Sequence, residues 1–580
     1  MWKKLFFLSL VPVALWAANV PYSVYFLGLD DKEALKTLKA VSDLTTLRSR
    51  PPTSLNALRY RADSDTADLL KVLHSYGYYE ATIDIRLEEY DDETRVYVLI
   101  QPGPMYTLGE FSVQQSTDCA PITAENVGLR LGKQALAKEI LNAEQKTLTL
   151  LANCGYPLAK IDKREMIADG DTKQLLVRLS VEAGPLCRFG PLSIQGLAQV
   201  EPKYIQNNQE WKEGDTYAAS KVETTQKSLL ESGLFSSALI THAEKPDSKG
   251  ELPMRLEVSE SKHRSIHAGI SYQTFFGPGL TFGWENRNIQ GMGRKLSLRA
   301  DVTKRTHAGN VTFLVPDAFR PNQDYVAAAQ AMYESIFPYH QRSYSVTNRL
   351  EWKIGTEYRV SMGLKLERII VGDSADNGTF TLGEGPIYFR WSSADDLLNP
   401  TRGQTIEYKI VPSINFADIN RYYVYQSAAY ATYWGLHKSD GLVLAHQILL
   451  ESIYSQNLGA IPMPKRVLGG SDQELRGYRY RSVSPFEGDK PEGGRCGLFY
   501  TAEMRLRFSK SLGFVPFFDI GNVEKTILPK GNEKWFKSAG LGVRYFTFLG
   551  PLRFDIAFPL NRRKGIDPYY RVLVSIGQTF

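Results

Sequence analysis

The sequence predicts three small α+β domains followed by a transmembrane antiparallel β-barrel of about 16 strands. Three observations predict it. One apolar line recurs at a fixed interval through the first 264 residues. Helical periodicity then disappears. From there to residue 580, short stretches alternate apolar and charged side chains.

Composition bounds the reading first. Of 580 residues, 43% are hydrophobic and 23% charged, which excludes wholesale disorder. The 69 basic and 63 acidic residues leave a net charge of only +6, so no nucleic-acid partner is expected. Cys119, Cys154, Cys187 and Cys496 are too few for a disulfide scaffold and form no C-x-x-C, so no metal site is expected. Beyond residue 18 no apolar run reaches the ~18–20 residues of a membrane helix. A helical bundle in the membrane is excluded; a barrel is not, because its strands carry polar residues on one face.

Residues 1–18 read as a signal peptide. Met1-Trp2-Lys3-Lys4 is basic, Leu5 to Ala18 is apolar, and cleavage is expected near Ala17 or Ala18. The mature chain then lies beyond a membrane, where disulfides are permitted. Cys119–Cys154 and Cys154–Cys187 both stay open as pairings.

The recurring line is LLKVLHSYGYYEATIDIRL around Gly77, LTLLANCGYPLAKIDKRE around Gly155 and KSLLESGLFSSALITHAE around Gly233, with the glycines 78 residues apart each time. Each instance is an apolar helical stripe, a glycine suited to positive φ, an aromatic or Leu, and an alternating strand. A further strand follows each time. The first two repeats then turn through Gly103-Pro104 and Gly184-Pro185. The repeats predict strand–helix–helix–strand–strand units at 22–105, 106–186 and 187–264. Their free sheet edges make them a spacer or a platform for extended polypeptides.

The barrel is expected over 265–580. Leu296, Leu298, Ala300 and Val302 oppose Ser297, Arg299 and Asp301; Ile406, Tyr408 and Ile410 oppose Glu407 and Lys409. Ala502, Met504, Leu506 and Phe508 oppose Glu503, Arg505 and Arg507, and Leu552, Phe554, Ile556 and Phe558 oppose Arg553, Asp555 and Ala557. Period 2 with one greasy and one charged face places a strand between unlike media. Tyr422, Tyr423, Tyr430, Tyr433 and Trp434 read as an interfacial aromatic girdle. The first strand is expected to run through AGISYQTFF before Gly277-Pro278-Gly279. The final one carries Tyr570, Val572, Val574, Ile576 and Phe580 on one face.

Gly469-Gly470 followed by Leu475-Arg476-Gly477-Tyr478 resembles the V/L-R-G-F/Y loop motif of the superfamily that joins periplasmic POTRA domains to an outer-membrane barrel. Phe517-Phe518-Asp519-Ile520-Gly521 is similar to its F-x-D-x-G strand motif. Ser482-Val483-Ser484-Pro485, Gly493-Gly494-Arg495, GPLRFDIAFPL and SIGQTF add to the likeness, which spans nearly the whole mature chain. Leu475 stands where Val is commoner. Three POTRA-like units resemble the TamA (translocation and assembly module) type, whereas BamA-type insertases carry five and two-partner secretion pores two.

The resemblance implies that the loop folds into the lumen, with Arg476 meeting Glu503 and Asp519 from adjacent strands. A guanidinium grips carboxylates in two directions. Gly477 lets the backbone approach the wall, and charge reversal at both Arg476 and Asp519 is expected to restore part of what either loses. It implies an assembly factor in the bacterial outer membrane, with unfolded outer-membrane protein clients, membrane lipid and a TamB-like inner-membrane-anchored partner. Clients would enter at the seam between first and final strands, where Gly269 and Gly577 weaken pairing beside Phe580. A BamA-like insertase, a two-partner transporter and a passive pore are the alternatives. No G-x-S-x-G, H-E-x-x-H or Walker A is present, so no enzyme, cofactor or catalytic residue is expected. His263 and His267 flank a domain junction, and Gly291-x-Gly293 reads as a hairpin turn.

Overall fold

The computed structural model describes residues 20–580 except 92, 274, 375–376, 437–440, 532–533, 548–549 and 577. The signal-peptide segment 1–18 therefore lies outside the described residues. The chain forms two compact units. Among the described residues, one holds 20–195 with 208–228 and 238–257; the other holds 196–207, 229–237 and those of 258–580.

Three separate three-stranded sheets precede the barrel. Their orders are Tyr22–Leu27, Thr94–Gln101, Thr82–Glu89; then Thr107–Gln115, Gln174–Glu182, Lys160–Asp169; then Arg188–Gln195, Glu251–Glu260, Phe235–His242. Each repeat's third strand lies in the middle, parallel to the first. In the first repeat the middle strand buries Val96, Val98 and Ile100, spaced by two, against the helix Leu55–Ser75. That helix returns Leu58, Ala62, Leu69, Val72 and Leu73 at helical spacing. Ser54 caps its start by accepting from Ala57 N. Gly77, Gly155 and Gly233 have φ of 82°, 101° and 68°, the left-handed turn that the repeats predict.

The helix count departs from two per repeat. Among the described residues the first repeat has three helices, Lys32–Val41, Asp43–Thr46 and Leu55–Ser75. The second has only Ala137–Asn153, since Pro121, Gly128 and Gly132 break the preceding stretch into turns. The extra helix of the first repeat is held by Asp65, which is buried yet satisfied. It accepts from Ser42 Oγ at 2.5 Å, Asp43 N at 2.7 Å and Leu44 N at 3.0 Å.

The second unit carries an antiparallel sheet of 17 strands among the described residues, in consecutive order from Arg264–Gln273 to Arg571–Ile576. Gly378–Glu384 and Ile387–Ser392 share one lane: both pair with Tyr358–Gly372 and with Gly403–Asn415. The break falls at Gly385-Pro386, where proline has no N–H to give the ladder. Charges face in and apolar groups face out. Glu503, Arg505, Asp519, Arg544, Arg553 and Asp555 are buried, while Ile270 (88% exposed), Leu364, Leu366, Phe554 and Phe558 are outside. This inversion of a soluble core is a lipid-facing sleeve.

Two expectations are corrected. Tyr422, Tyr430 and Trp434 are exposed, but Tyr423 and Tyr433 are buried. They are odd-numbered residues of the strand Tyr422–Gly435, opposite in pleat to Tyr422, Tyr430 and Trp434, so the pleat turns them into the lumen. The first strand stops at Gln273, and Gly277-Pro278-Gly279 already belongs to the next, pairing with Ser271, Tyr272 and Gln273. Phe275 and Phe276 instead pack on Tyr480, with ring centres 4.2 and 5.4 Å away. Aromatic burial there outweighs continued alternation.

Asp65→Ala should cost about 2–3 kcal/mol, since it strands buried donors; hydrogen exchange over residues 43–75 should quicken. Glu260 is half-buried, and this desolvation raises its pKa. Donation from Ala198, Gln199 and Val200 N at 2.7–3.0 Å outweighs this and holds it below the usual carboxylate range. Its depressed pKa means the cap stabilises above the unfolded value near 4.5 and is lost as pH falls through the folded one. Acidification below about pH 4 should raise exchange at 196–207 in wild type. Glu260→Gln should show weaker protection at neutral pH and a flat profile.

Candidate functional site

Residues 456–495, between strands Leu442–Ser455 and Cys496–Arg507, turn inward and fill the lumen. Met463, Val467, Leu475, Tyr478 and Val483 form one apolar cluster with wall residues Tyr339, Ile369, Leu382, Tyr423 and Phe499. The motif sits on a hairpin neck. Gly469 and Val483 exchange both N–H···O bonds at 2.9 Å, and Arg481 N donates to Gly470 O at 2.8 Å. Leu475 has φ of 49°, a left-handed conformation unusual for a branched side chain, and is fully buried.

Arg476 is 0% exposed. Its Nη2 and Nε donate to Asp519 Oδ1 and Oδ2 at 2.7 and 3.1 Å, a two-point grip, and its own backbone N adds 3.0 Å to Oδ2. Nη1 donates to Glu503 Oε1 at 2.8 Å and to Asp555 Oδ2 at 3.3 Å. The guanidinium lies 3.4 Å from the Phe517 ring centre. Burial opposes this charge, but Asp519, Glu503 and Asp555 outweigh it and hold the Arg476 pKa above its ordinary value.

The other motif residues make the fit. A Cβ on Gly477 would stand 2.6 Å from Pro559 N and 2.7 Å from Phe558 C, so the loop lies flat on the wall only as glycine. On Gly521 it would meet Phe499 Cδ1 at 2.5 Å. Tyr478 donates from its hydroxyl to Lys537 O at 2.8 Å and also meets Asn561.

Several participants were not anticipated. Asp555 also binds Arg544 Nη1 at 2.5 Å and Arg553 Nε at 2.6 Å, and Glu503 binds Arg505 Nε at 3.0 Å. Arg571 Nη1 donates to the carbonyls of Arg476 and Tyr478 at 3.2 and 2.8 Å. Gly540 and Gly542 clear space: a Cβ would stand 2.3 Å from the Phe517 ring and 2.2 Å from Asp555 Oδ1. Lys465 Nζ reaches Glu367 and Glu384 at 2.5 and 3.2 Å, and Arg481 Nη1 donates to Tyr339 Oη at 2.6 Å. The loop is thereby tied to the wall near strands 339–384 as well. The G-x-G spacing at 540–542 was the one available signal for the cleared floor.

The seam residues separate. Gly269 pairs with Thr281 and has room for a side chain. Gly577 lies outside the described residues. Phe580 does not extend the outward face of the final strand. That ladder ends at Leu552↔Ile576, and residues 578–580 turn into the lumen. Gln578 N donates to Leu398 O at 3.1 Å, Thr579 Oγ1 to Glu503 Oε1 at 2.6 Å, and Arg505 Nη2 to Phe580 O at 3.1 Å. Bonds to buried charged groups outweigh the alternating pattern here. Strands Arg264–Gln273 and Arg571–Ile576 lie against each other, yet among the described residues no ladder joins them.

Comparison with known proteins decides the family. The Omp85 superfamily domain model matches residues 288–580, which hold the barrel strands from Arg294–Thr303 onward, the loop and the carboxylates that hold it. The chain belongs to the Omp85 superfamily. It is 22% identical over 89% of its length to outer membrane protein assembly factor BamA of Nitratidesulfovibrio vulgaris, covering 68% of that protein. It is 21% identical over 88% of its length to BamA of Neisseria meningitidis serogroup B, covering 72% of that protein. In fold it is similar to Haemophilus ducreyi BamA lacking POTRA domains 1–3, with a TM-score of 0.66 and 16% identity, covering 80% of this chain and 99% of that one.

Within this Omp85 barrel, Arg476→Ala leaves three carboxylates without their shared partner. It should cost about 3–5 kcal/mol and lower the temperature at which the folded band is lost in heat-modifiability electrophoresis. The geometry gives the charge swap a different expected outcome. An aspartate at 476 would face Glu503 and Asp555, so Arg476→Asp with Asp519→Arg should not restore stability.

Proposed function

We propose that this protein is an outer-membrane assembly factor of the TamA type that helps β-barrel and autotransporter-type clients into the bilayer by opening its barrel seam. Strands in lipid need every N–H and C=O satisfied. A client hairpin meets this need by pairing with an unladdered edge before its own barrel closes. The observation that carries the reading is the seam: Arg264–Gln273 and Arg571–Ile576 are adjacent without ladder pairing, and residues 578–580 are bound inside instead. The loop clasp keeps the wall beside that seam in one shape, and parting of the seam is the step by which a client gains an edge. The three α+β repeats, with exposed sheet edges, deliver extended clients from the periplasm, and a TamB-like protein anchored in the inner membrane works with them. The role needs membrane lipid and clients and no cofactor or bond-making chemistry.

A BamA-like general insertase is the second reading, favoured by the names of the curated relatives that match along most of the chain. Affinity capture from mild detergent separates the two. A large inner-membrane-anchored partner supports the TamA type, and capture without one supports the other.

A disulfide engineered between Arg264–Gln273 and Arg571–Ile576 should abolish client assembly in proteoliposomes, and reductant should restore it. Full activity of the locked protein would overturn seam opening. A steady wide conductance in planar bilayers would favour a passive pore.

A further inference from the structure

Two cysteines that the assembly role does not use lie together in the second repeat. Cys119 is half-buried in the segment after strand Thr107–Gln115, where it packs on the cluster that contains Leu151 of helix Ala137–Asn153. Gln115 Nε2 donates to Ala120 O at 3.2 Å and folds that segment back. Cys154 is exposed at the end of the same helix, and its thiol meets the Cys119 thiol. Cys187 lies beside this helix end through its backbone, but its thiol is engaged by another partner, and Cys496 is in the barrel. Cys187 is buried with its Sγ donating to Pro185 O at 3.4 Å, and Cys496 is buried in a barrel strand.

The end of that helix also carries the next repeat. Asn153 Oδ1 accepts from Ser220 N at 2.7 Å, and Gly155 O accepts from Cys187 N at 2.8 Å. Residues 153–155 thus anchor both a helix and the first strand of the third repeat. A covalent bond at Cys154 would brace this joint from below.

We infer that Cys119 and Cys154 form a structural disulfide in the exported protein, which fixes the helix end on which the third repeat is seated. The inference rests on placement in an oxidising compartment, not on the assembly role. One thiol attacks an oxidised dithiol donor, a protein of the thiol–disulfide exchange class, and forms a mixed disulfide. The second displaces the donor, which leaves as a dithiol with the two electrons and two protons that the cysteines give up. The neighbouring Cys119 thiol, aided by burial, pushes Cys154 up to about 11. It therefore stays protonated near neutral pH, the opposite of a reactive redox sensor.

The test uses full-length protein extracted from the outer-membrane fraction in detergent, denatured, alkylated without reduction and mapped by mass spectrometry. A peptide pair joining Cys119 to Cys154 that separates on reduction is expected, with Cys187 and Cys496 alkylated. Alkylated Cys119 and Cys154, or a Cys154–Cys187 pair, would overturn the inference. In folded protein, reductant should raise amide exchange over residues 116–123 and 153–155 by about tenfold or more. Cys119→Ser and Cys154→Ser should each show the raised rate without reductant and no further response to it. If either variant still responds to reductant as wild type does, the bond is not the cause.

Discussion

A buried guanidinium held among three carboxylates is the constraint on which the barrel interior depends. Arg476 has no access to water, so its charge is tolerable only while Asp519, Glu503 and Asp555 stay aimed at it. Those three come from three different strands, and their register fixes where the loop touches down. Glycines at 477, 540 and 542 remove the side chains that would keep the partners apart. The tie therefore sets the geometry of a whole sector of wall.

The sector includes the seam. Glu503 accepts from both Arg476 and Thr579, so the loop tip and residues 578–580 share one carboxylate. Arg505 and Arg544 hold Phe580 and Gln578 from two strands of the same wall. Residues 578–580 are therefore drawn inward by the same charges that seat the loop, and among the described residues the sheet keeps an edge without a ladder. A barrel meant only to pass solutes has no need of such an edge. One meant to lend an edge to another strand does, and this links the ionic interior to the proposed assembly role.

Much of this was legible in the residues. Period-2 alternation placed Glu503, Asp555, Arg505 and Arg553 inside, because a pleated strand has only two faces. The repeat glycines announced their turns because positive φ costs a glycine no Cβ clash and strains most other residues. What escaped had a common cause: contacts between segments far apart in the chain. No local pattern shows that Asp555 and Thr579 converge on Arg476, or that Arg571 reaches the loop's carbonyls. Phe580 fits the outward alternation and still turns in, since charge-assisted bonds from Arg505 outweigh it. Tyr423 and Tyr433 read as girdle residues, although alternation with Tyr422, Tyr430 and Trp434 already sends them inward. The helix missing from the second repeat reflects Pro121, Gly128 and Gly132, whose effect the repeat pattern masked.

The central claim, that the Arg476 tie governs the seam, is tested most directly by electron–electron distance measurement. Spin labels placed on Arg264–Gln273 and Arg571–Ile576 in lipid nanodiscs report the width of the gap. A single narrow distribution is predicted with Arg476 present, broadening to longer distances in Arg476→Lys, which keeps the charge but loses the fork. Identical distributions in the two proteins would contradict the account.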